Sequence, residues 1–125
     1  MKKVLVIEDD VNLQEVYQEF LATEKLSVFI ASTGQLGMQM ARSEQPHLII
    51  LDIMLPGAIN GLEVLKKLKE ESDLKQIPVL VLTNLSSHKD TAIEMGAVDY
   101  FVKANLSTQD LSTKIHRWLK KRPRK

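Results

Sequence analysis

Five short runs of apolar residues punctuate the chain: Val4-Leu5-Val6-Ile7, Val28-Phe29-Ile30-Ala31, Leu48-Ile49-Ile50-Leu51, Val79-Leu80-Val81-Leu82 and Tyr100-Phe101-Val102. Each has the length of a strand, is rich in β-branched or aromatic residues, and is bounded by polar, Gly or Pro residues. The runs are apolar at successive positions rather than alternate ones, which is the pattern of a strand buried on both faces. Pro78 opens the fourth run, a position where a strand tolerates proline. The intervening segments repeat instead with helical spacing. Leu13, Val16, Tyr17, Phe20 and Leu21 fall on one helix face, Leu62, Leu65 and Leu68 make a narrower stripe, and Leu111, Ile115, Trp118 and Leu119 form the apolar face of a last helix. That last helix opens with Ser107-Thr108-Gln109-Asp110, the pattern of a capping box.

Strand and helix segments therefore alternate five times. Strict alternation with near-continuous apolar strands predicts an α/β fold, a doubly wound parallel sheet with helices on both faces. Right-handed crossovers leave few topologies, and for five strands the expected one is the flavodoxin-like order 2-1-3-4-5, a (βα)5 domain that binds ligands beyond the carboxyl ends of its strands. One domain is expected over residues 1–119. Residues 120–125, "KKRPRK", read as a basic C-terminal tail or the start of a linker.

Composition narrows the class. At 125 residues the chain can bury a real core, and 44% hydrophobic with 26% charged residues is that of a soluble globular protein. There is no cysteine, which excludes a disulfide framework and thiolate chemistry. The run Val4–Ile7 is too short for a signal-peptide core, and nothing approaches membrane-spanning length, so a cytoplasmic location is expected. The formal net charge of +1 hides an asymmetry: five positive charges sit in the last six residues, so the remainder carries −4. A basic tail of this size is commonly a solvated end.

The chemistry lies just past the strands. Glu8, Asp9 and Asp10 follow the first, Asp52 follows the third, Thr83 closes the fourth and Lys103 follows the fifth. In a parallel sheet these ends share one edge. Three carboxylates there repel one another unless a cation sits among them. Oxygen-only ligands, few in number, suit Mg²⁺, with Mn²⁺ a second fit, better than Zn²⁺ or Ca²⁺. A small cation held by two or so carboxylates leaves positions for phosphate oxygens and water. An ammonium at Lys103 and a hydroxyl at Thr83 would then complete the coordination of a phosphoryl group, with Asp52 as its acceptor. Singly, Asp10 is a helix cap, Thr83 an ordinary strand residue and Lys103 an ordinary surface lysine. Their joint placement at the strand ends is what carries the reading.

The chain as far as Leu119 resembles the receiver domain of two-component response regulators, of the chemotaxis-regulator type. The matching pieces are "VLVIEDD" (4–10), "LIILDIMLPG" (48–57), "NGLEVL" (60–65), "PVLVLT" (78–83) and "GAVDYFVK" (96–103). The resemblance implies phosphorylation of Asp52 by a sensor histidine kinase or phosphotransfer protein in a Mg²⁺-dependent reaction. It implies a metal site of Asp9, Asp52 and the Met54 backbone carbonyl, with Glu8 acting through water. Thr83 and Lys103 would bind the phosphoryl group, and Tyr100 would be a switch aromatic coupled to Thr83. The signalling face would be the fourth helix, fifth strand and fifth helix, meeting a downstream protein, an output domain or a second copy. Nucleic acid would enter only through a separate output domain. The domain would assist its own phosphorylation and dephosphorylation without being an enzyme on other substrates.

Three departures stand out. Ala104 occupies the place of a usual proline after the lysine, where a trans peptide is the expectation. Asn84 follows Thr83 where a small residue is common, and the segment from Asp52 to Gly61 is one residue longer than usual, a bulge expected at Ala58-Ile59. A degenerate receiver acting as a phosphorylation-independent scaffold is the alternative, opposed by the intact Asp9, Asp52, Thr83 and Lys103. A flavin carrier would want a phosphate-binding loop in place of Glu8-Asp9-Asp10. A haloacid-dehalogenase phosphatase would want an aspartate at Met54, and a histidine phosphodonor would not place His47, His88 and His116 on this fold.

Overall fold

Leu48–Leu51 is fully buried, and so are Val4–Ile7 and the whole run Val79–Thr83, so the three central strands lie between two apolar layers. The computed structural model describes residues 1–120. The elements run β1 (Lys3–Ile7), α1 (Val11–Thr23), β2 (Ser27–Ala31), α2 (Gly34–Glu44), β3 (Leu48–Leu51), α3 (Gly61–Glu70), β4 (Val79–Thr83), α4 (Lys89–Glu94), β5 (Asp99–Val102) and α5 (Thr108–Lys120), with a 3₁₀ turn at Lys103–Asn105. All strand pairs are parallel and the order is β2-β1-β3-β4-β5, as the alternation of elements predicts. Lys120 closes α5, and the rest of the basic tail lies outside the described residues.

Successive strand residues alternate between two cores. Leu5, Ile7, Ile49, Leu51, Val79 and Val81 face α2 and α3, where Met38, Val64, Leu65 and Leu68 meet them. Val4, Val6, Leu48, Ile50, Leu80 and Leu82 face the opposite layer, built from Tyr17 and Leu21 of α1 and Leu111, Ile115 and Leu119 of α5. Each fully buried Leu, Ile or Val contributes roughly 1.5–3 kcal/mol over an exposed one, which fixes the strands in register. Two of the helical stripes need adjusting. Val16 is 46% exposed although it falls on the predicted face of α1, and in α3 Val64 is buried while Leu62 is only partly so.

Caps fix where the helices begin. Asp10 accepts from the N–H groups of Asn12 and Leu13 at the start of α1. Ser107 accepts from Asp110 at the start of α5, the forward half of the predicted box. A complete reciprocal box opens α3, where Asn60 accepts from the Glu63 N–H and the Glu63 carboxylate accepts from the Asn60 N–H. Its N-x-x-E signature is in the sequence but was not among the predicted caps.

Candidate functional site

The register places the acids before any side chain is considered. Ile7 lies opposite Leu51, so Glu8 and Asp52, each one residue further on, leave neighbouring strands side by side. The Asp52 N–H donates to the Ile7 carbonyl at 3.1 Å and the Glu8 N–H to the Ala31 carbonyl at 2.9 Å, which extends the ladder to these two residues. On the other side, Thr83 lies opposite Val102, and Lys103 follows directly. Glu8, Asp52 and Thr83 are the buried polar residues of the described chain.

Buried carboxylates need compensation. Here it comes from the Lys103 ammonium, which donates to Glu8 Oε1 at 2.6 Å and to Asp52 Oδ2 at 2.8 Å. The second oxygens are held by backbone donors: the Met54 N–H reaches Asp52 Oδ1 at 3.0 Å and the Asp10 N–H reaches Glu8 Oε2 at 3.1 Å. Burial pushes the Glu8 carboxyl above its ordinary range, against the opposing pull of Lys103 and of the Asp10 N–H. For Lys103 burial acts downward, but its hydrogen bonds to Asp52 and Glu8 and their charges outweigh it and hold the ammonium above the usual lysine range. The cation that the sequence demands beside Asp52 is thus supplied by a residue of the chain.

The carboxylate oxygens of Glu8, Asp9 and Asp52 lie within 4.8 Å of one another, with Asp9 exposed on the solvent side. This donor set is oxygen-only, and one ligand is already open to water, which fits a hard dication that keeps part of its hydration shell. Thr83 Oγ1 is buried and has no hydrogen-bond partner, so a hydroxyl waits unpaired at the end of the strand next to Asp52. Tyr100 is buried in β5 and its hydroxyl donates to the Leu85 carbonyl just beyond β4, tying together the two strands that carry Thr83 and Lys103. Burial raises the Tyr100 phenol above its ordinary value.

The three departures resolve locally. The Lys103–Ala104 peptide is trans, as are all described peptides, and Lys103 starts the 3₁₀ turn. Asn84 is exposed. The segment after Asp52 turns at Gly57, with φ +99°, and Ile59 packs back against Gly34 at the start of α2. Gly61 then closes it, donating its N–H to the Ile53 carbonyl at 2.8 Å. A Cβ at Gly61 would lie 2.2 Å from the Asp52 carbonyl oxygen, so only glycine permits this approach. Neither the role of Gly61 nor that of Gln14, whose amide donates to the Glu8 carbonyl, was among the predicted site features. The Asn60-Gly61 dipeptide was the available signal for the first.

Fold and site together define a receiver-type α/β signalling domain. The model of the response regulator receiver domain matches residues 4–116, and the chain belongs to that family. It is 35% identical over 127 residues to the response regulator ArlR of Staphylococcus haemolyticus, covering 100% of this chain and 56% of that protein. It is 33% identical to the probable transcriptional regulator ycf27 of Cyanophora paradoxa, over 96% of this chain and 49% of the relative. The chain thus spans about half the length of these curated relatives. Among solved structures, the BeF₃-activated receiver domain of Klebsiella pneumoniae RstA superposes with TM-score 0.88 at 28% identity, covering 96% of this chain and 100% of that one. The Mn²⁺-bound form of the response regulator Rcp1 does so with TM-score 0.81 at 29% identity, covering 98% and 97%.

Proposed function

We propose that this receiver accepts a phosphoryl group on Asp52 from a sensor histidine kinase or phosphotransfer protein, with Mg²⁺ or Mn²⁺ as the assisting ion. The observation that carries the reading is the pairing of Asp52 with the Lys103 ammonium at 2.8 Å beside a buried, unpartnered Thr83 hydroxyl. Asp9, Asp52 and the Met54 carbonyl would hold the ion, with Glu8 linked through water, and the ion would supply neutralisation of the phosphoryl oxygens. The Mn²⁺-bound form of the similar response regulator Rcp1 supports the choice of metal.

In the transfer, an Asp52 oxygen forms a bond to phosphorus as the bond from phosphorus to the donor breaks, and the donor leaves with its electron pair. An ionised carboxylate needs no general base for this, so the chain's part is positioning and charge. Lys103 exchanges a carboxylate oxygen for a phosphoryl oxygen, and the Thr83 hydroxyl gains an acceptor. Movement of Thr83 toward the phosphate would be sensed by Tyr100 and read out at the face of α4, β5 and α5 by a downstream protein, an output domain or a second copy. The domain acts in this reading as a cytoplasmic phosphoacceptor rather than as an enzyme on external substrates. No described helix is long and apolar enough to cross a membrane.

The test is incubation with Mg²⁺ and acetyl phosphate, read by intact mass beside Asp52→Asn. One added phosphoryl group, absent in the variant and with EDTA, is the expected result. A folded protein that gains no mass would reject the phosphoacceptor role and favour a phosphorylation-independent scaffold.

A further inference from the structure

Asp9 is the exposed member of the acidic group, whereas Glu8 and Asp52 are buried. Among the described residues Asp9 makes no hydrogen bond of its own. A carboxylate oxygen of Asp9 nevertheless lies within 4.8 Å of ligand oxygens on Glu8 and Asp52. What keeps it there acts through its neighbours in the chain.

Both neighbours are anchored. Asp10 caps α1 through its side chain. Glu8 donates its N–H to the Ala31 carbonyl, and its carboxylate accepts from Lys103 and from the Asp10 N–H. The Glu8 carbonyl, in turn, accepts from the side-chain amide of Gln14. This bond differs in kind from the others, because that carbonyl belongs to the planar peptide that carries the Asp9 N–H and leads to the Asp9 Cα. With its carbonyl pinned, the peptide cannot rotate freely, and the direction in which Asp9 leaves β1 is set. Helical side chains lean toward the helix N-terminus, which brings a glutamine at the end of the first turn of α1 back over the preceding loop. Gln14 also closes that turn from the main chain, its N–H donating to the Asp10 carbonyl at 2.9 Å. As a neutral donor it adds no charge to a cluster that already holds three carboxylates and one ammonium.

We infer that Gln14 is a positioning residue for the dication: it fixes the Glu8–Asp9 peptide and, with it, the exposed carboxylate that completes the acidic site. The inference rests on the reading of Glu8, Asp9 and Asp52 as the surroundings of a Mg²⁺ or Mn²⁺ ion. Gln14 acts on that ion only through Asp9. Its removal therefore falls on metal affinity, while the two cores that hold α1 to the sheet stay as they are.

The test titrates Mn²⁺ into wild type, Gln14→Met and Gln18→Met, with the free ion counted by electron paramagnetic resonance. Methionine keeps the length of glutamine and removes the amide. Residues that hold metal ligands from behind typically change affinity by roughly 10–100-fold when removed. The Asp10 N–H and the α1 cap remain, so Gln14→Met should bind about tenfold more weakly, at the lower end of that range. Gln18, exposed one turn further along α1, is the control, and Gln18→Met should bind as the wild type does. In ¹⁵N–¹H spectra of the metal-free protein the Asp9 amide should move in Gln14→Met, while the Met54 amide across the site stays. Thermal melts establish that both variants are folded. A wild type that binds no Mn²⁺ would overturn the metal reading and this inference together. A wild type that binds, beside a Gln14→Met that binds equally well, would leave the metal reading standing and overturn the role of Gln14. Equal losses in the two variants, or a loss in Gln14→Met with the Asp9 amide unmoved, would overturn action through the Glu8–Asp9 peptide.

Discussion

Lys103→Met isolates the electrostatic logic of the site. Methionine keeps the length and the apolar stem of lysine but removes the ammonium that bridges Glu8 and Asp52. Both carboxylates are nearly sealed from solvent, with side-chain exposures of 3% and 7%, and the contacts are short, at 2.6 and 2.8 Å. A hydrogen bond to a charged group contributes about 1.5–3 kcal/mol, and stripping one partner from a buried ion pair costs about 3–5 kcal/mol. The Met54 and Asp10 N–H groups still serve the other oxygens, and exposed Asp9 marks a route for water, so the lower end, about 3 kcal/mol, is the expected loss at pH 7. With a urea slope of about 2 kcal/mol per molar, the unfolding midpoint should fall by roughly 1.5 M.

The loss should carry a pH signature of definite sign. Glu8 is already raised by burial in the wild type, and without the ammonium that opposes this it rises further. A carboxyl whose folded value exceeds its unfolded value binds its proton more tightly in the folded state, so stability falls as pH rises through that window and recovers on acidification. The variant should therefore approach the wild type toward pH 5. Mg²⁺ should also raise its midpoint more than that of the wild type, because no ammonium competes for the carboxylates. Urea melts at pH 7 and pH 5, with EDTA and with Mg²⁺, read all of this. A wild-type midpoint at pH 7 without metal, or a deficit that persists unchanged at pH 5, would refute the claim that Lys103 compensates buried charge.

Gly61→Ala drives a methyl into backbone that cannot move aside, and should destabilise by about 3 kcal/mol, whereas Gly57→Ala meets its nearest atom at 3.6 Å and should lose only about 1 kcal/mol for its positive φ; paired urea melts separate the two. Tyr100→Phe leaves the Leu85 carbonyl without its donor and should lower stability by about 1 kcal/mol in the same assay. Glu24 ties α1 to α5 by accepting from Ser112 at 2.8 Å and contacting His116 at 2.6 Å, and the hydrogen bond from Ser112, followed by that from His116, holds its carboxyl below the ordinary 4.5. That contribution is present above the ordinary carboxylate range and is lost as pH falls through the depressed value, so the stability gap between wild type and Glu24→Gln should close on acidification, measured by thermal melts between pH 7 and pH 3.

What could be read from the sequence follows from how each element is stabilised. β1, β3 and β4 declare themselves because both faces are buried, so every residue must be apolar. The edge strands β2 and β5 are only partly buried, and β5 shows as a run of three rather than four apolar residues. α2 has no hydrophobic stripe to find. It packs through Gly34, Gly37, Met38 and Ala41, where a Cβ at Gly37 would lie 2.6 Å from the Ile7 side chain, so close approach of small residues does much of what apolar bulk does elsewhere. Val16 misleads in the opposite direction: it belongs to the apolar stripe of α1, but the layer it faces opens into a cleft beside Leu106. At the site, Glu8, Asp52, Thr83 and Lys103 were legible because parallel topology alone brings strand ends together. The identity of the compensating cation was not, because ion pairing between residues 8 and 103 depends on side-chain reach rather than on register.

The placement of Lys103 bears on how a receiver manages without a proline after its lysine. A proline would constrain the backbone that leaves β5, and Ala104 supplies no such restriction. Here the constraint comes from three other sources: the ladder that pairs Val102 with Thr83, the 3₁₀ turn in which the Leu106 N–H returns to the Lys103 carbonyl at 3.3 Å, and the two carboxylates that hold the ammonium. The first two fix the Cα and the third fixes the tip, leaving the stem along the wall of that cleft as the part free to adjust. On this argument the lysine of this chain is positioned from its charged end. A change in either carboxylate partner, including addition of a phosphoryl group to Asp52, should then move Lys103 and the β5–α5 connection together.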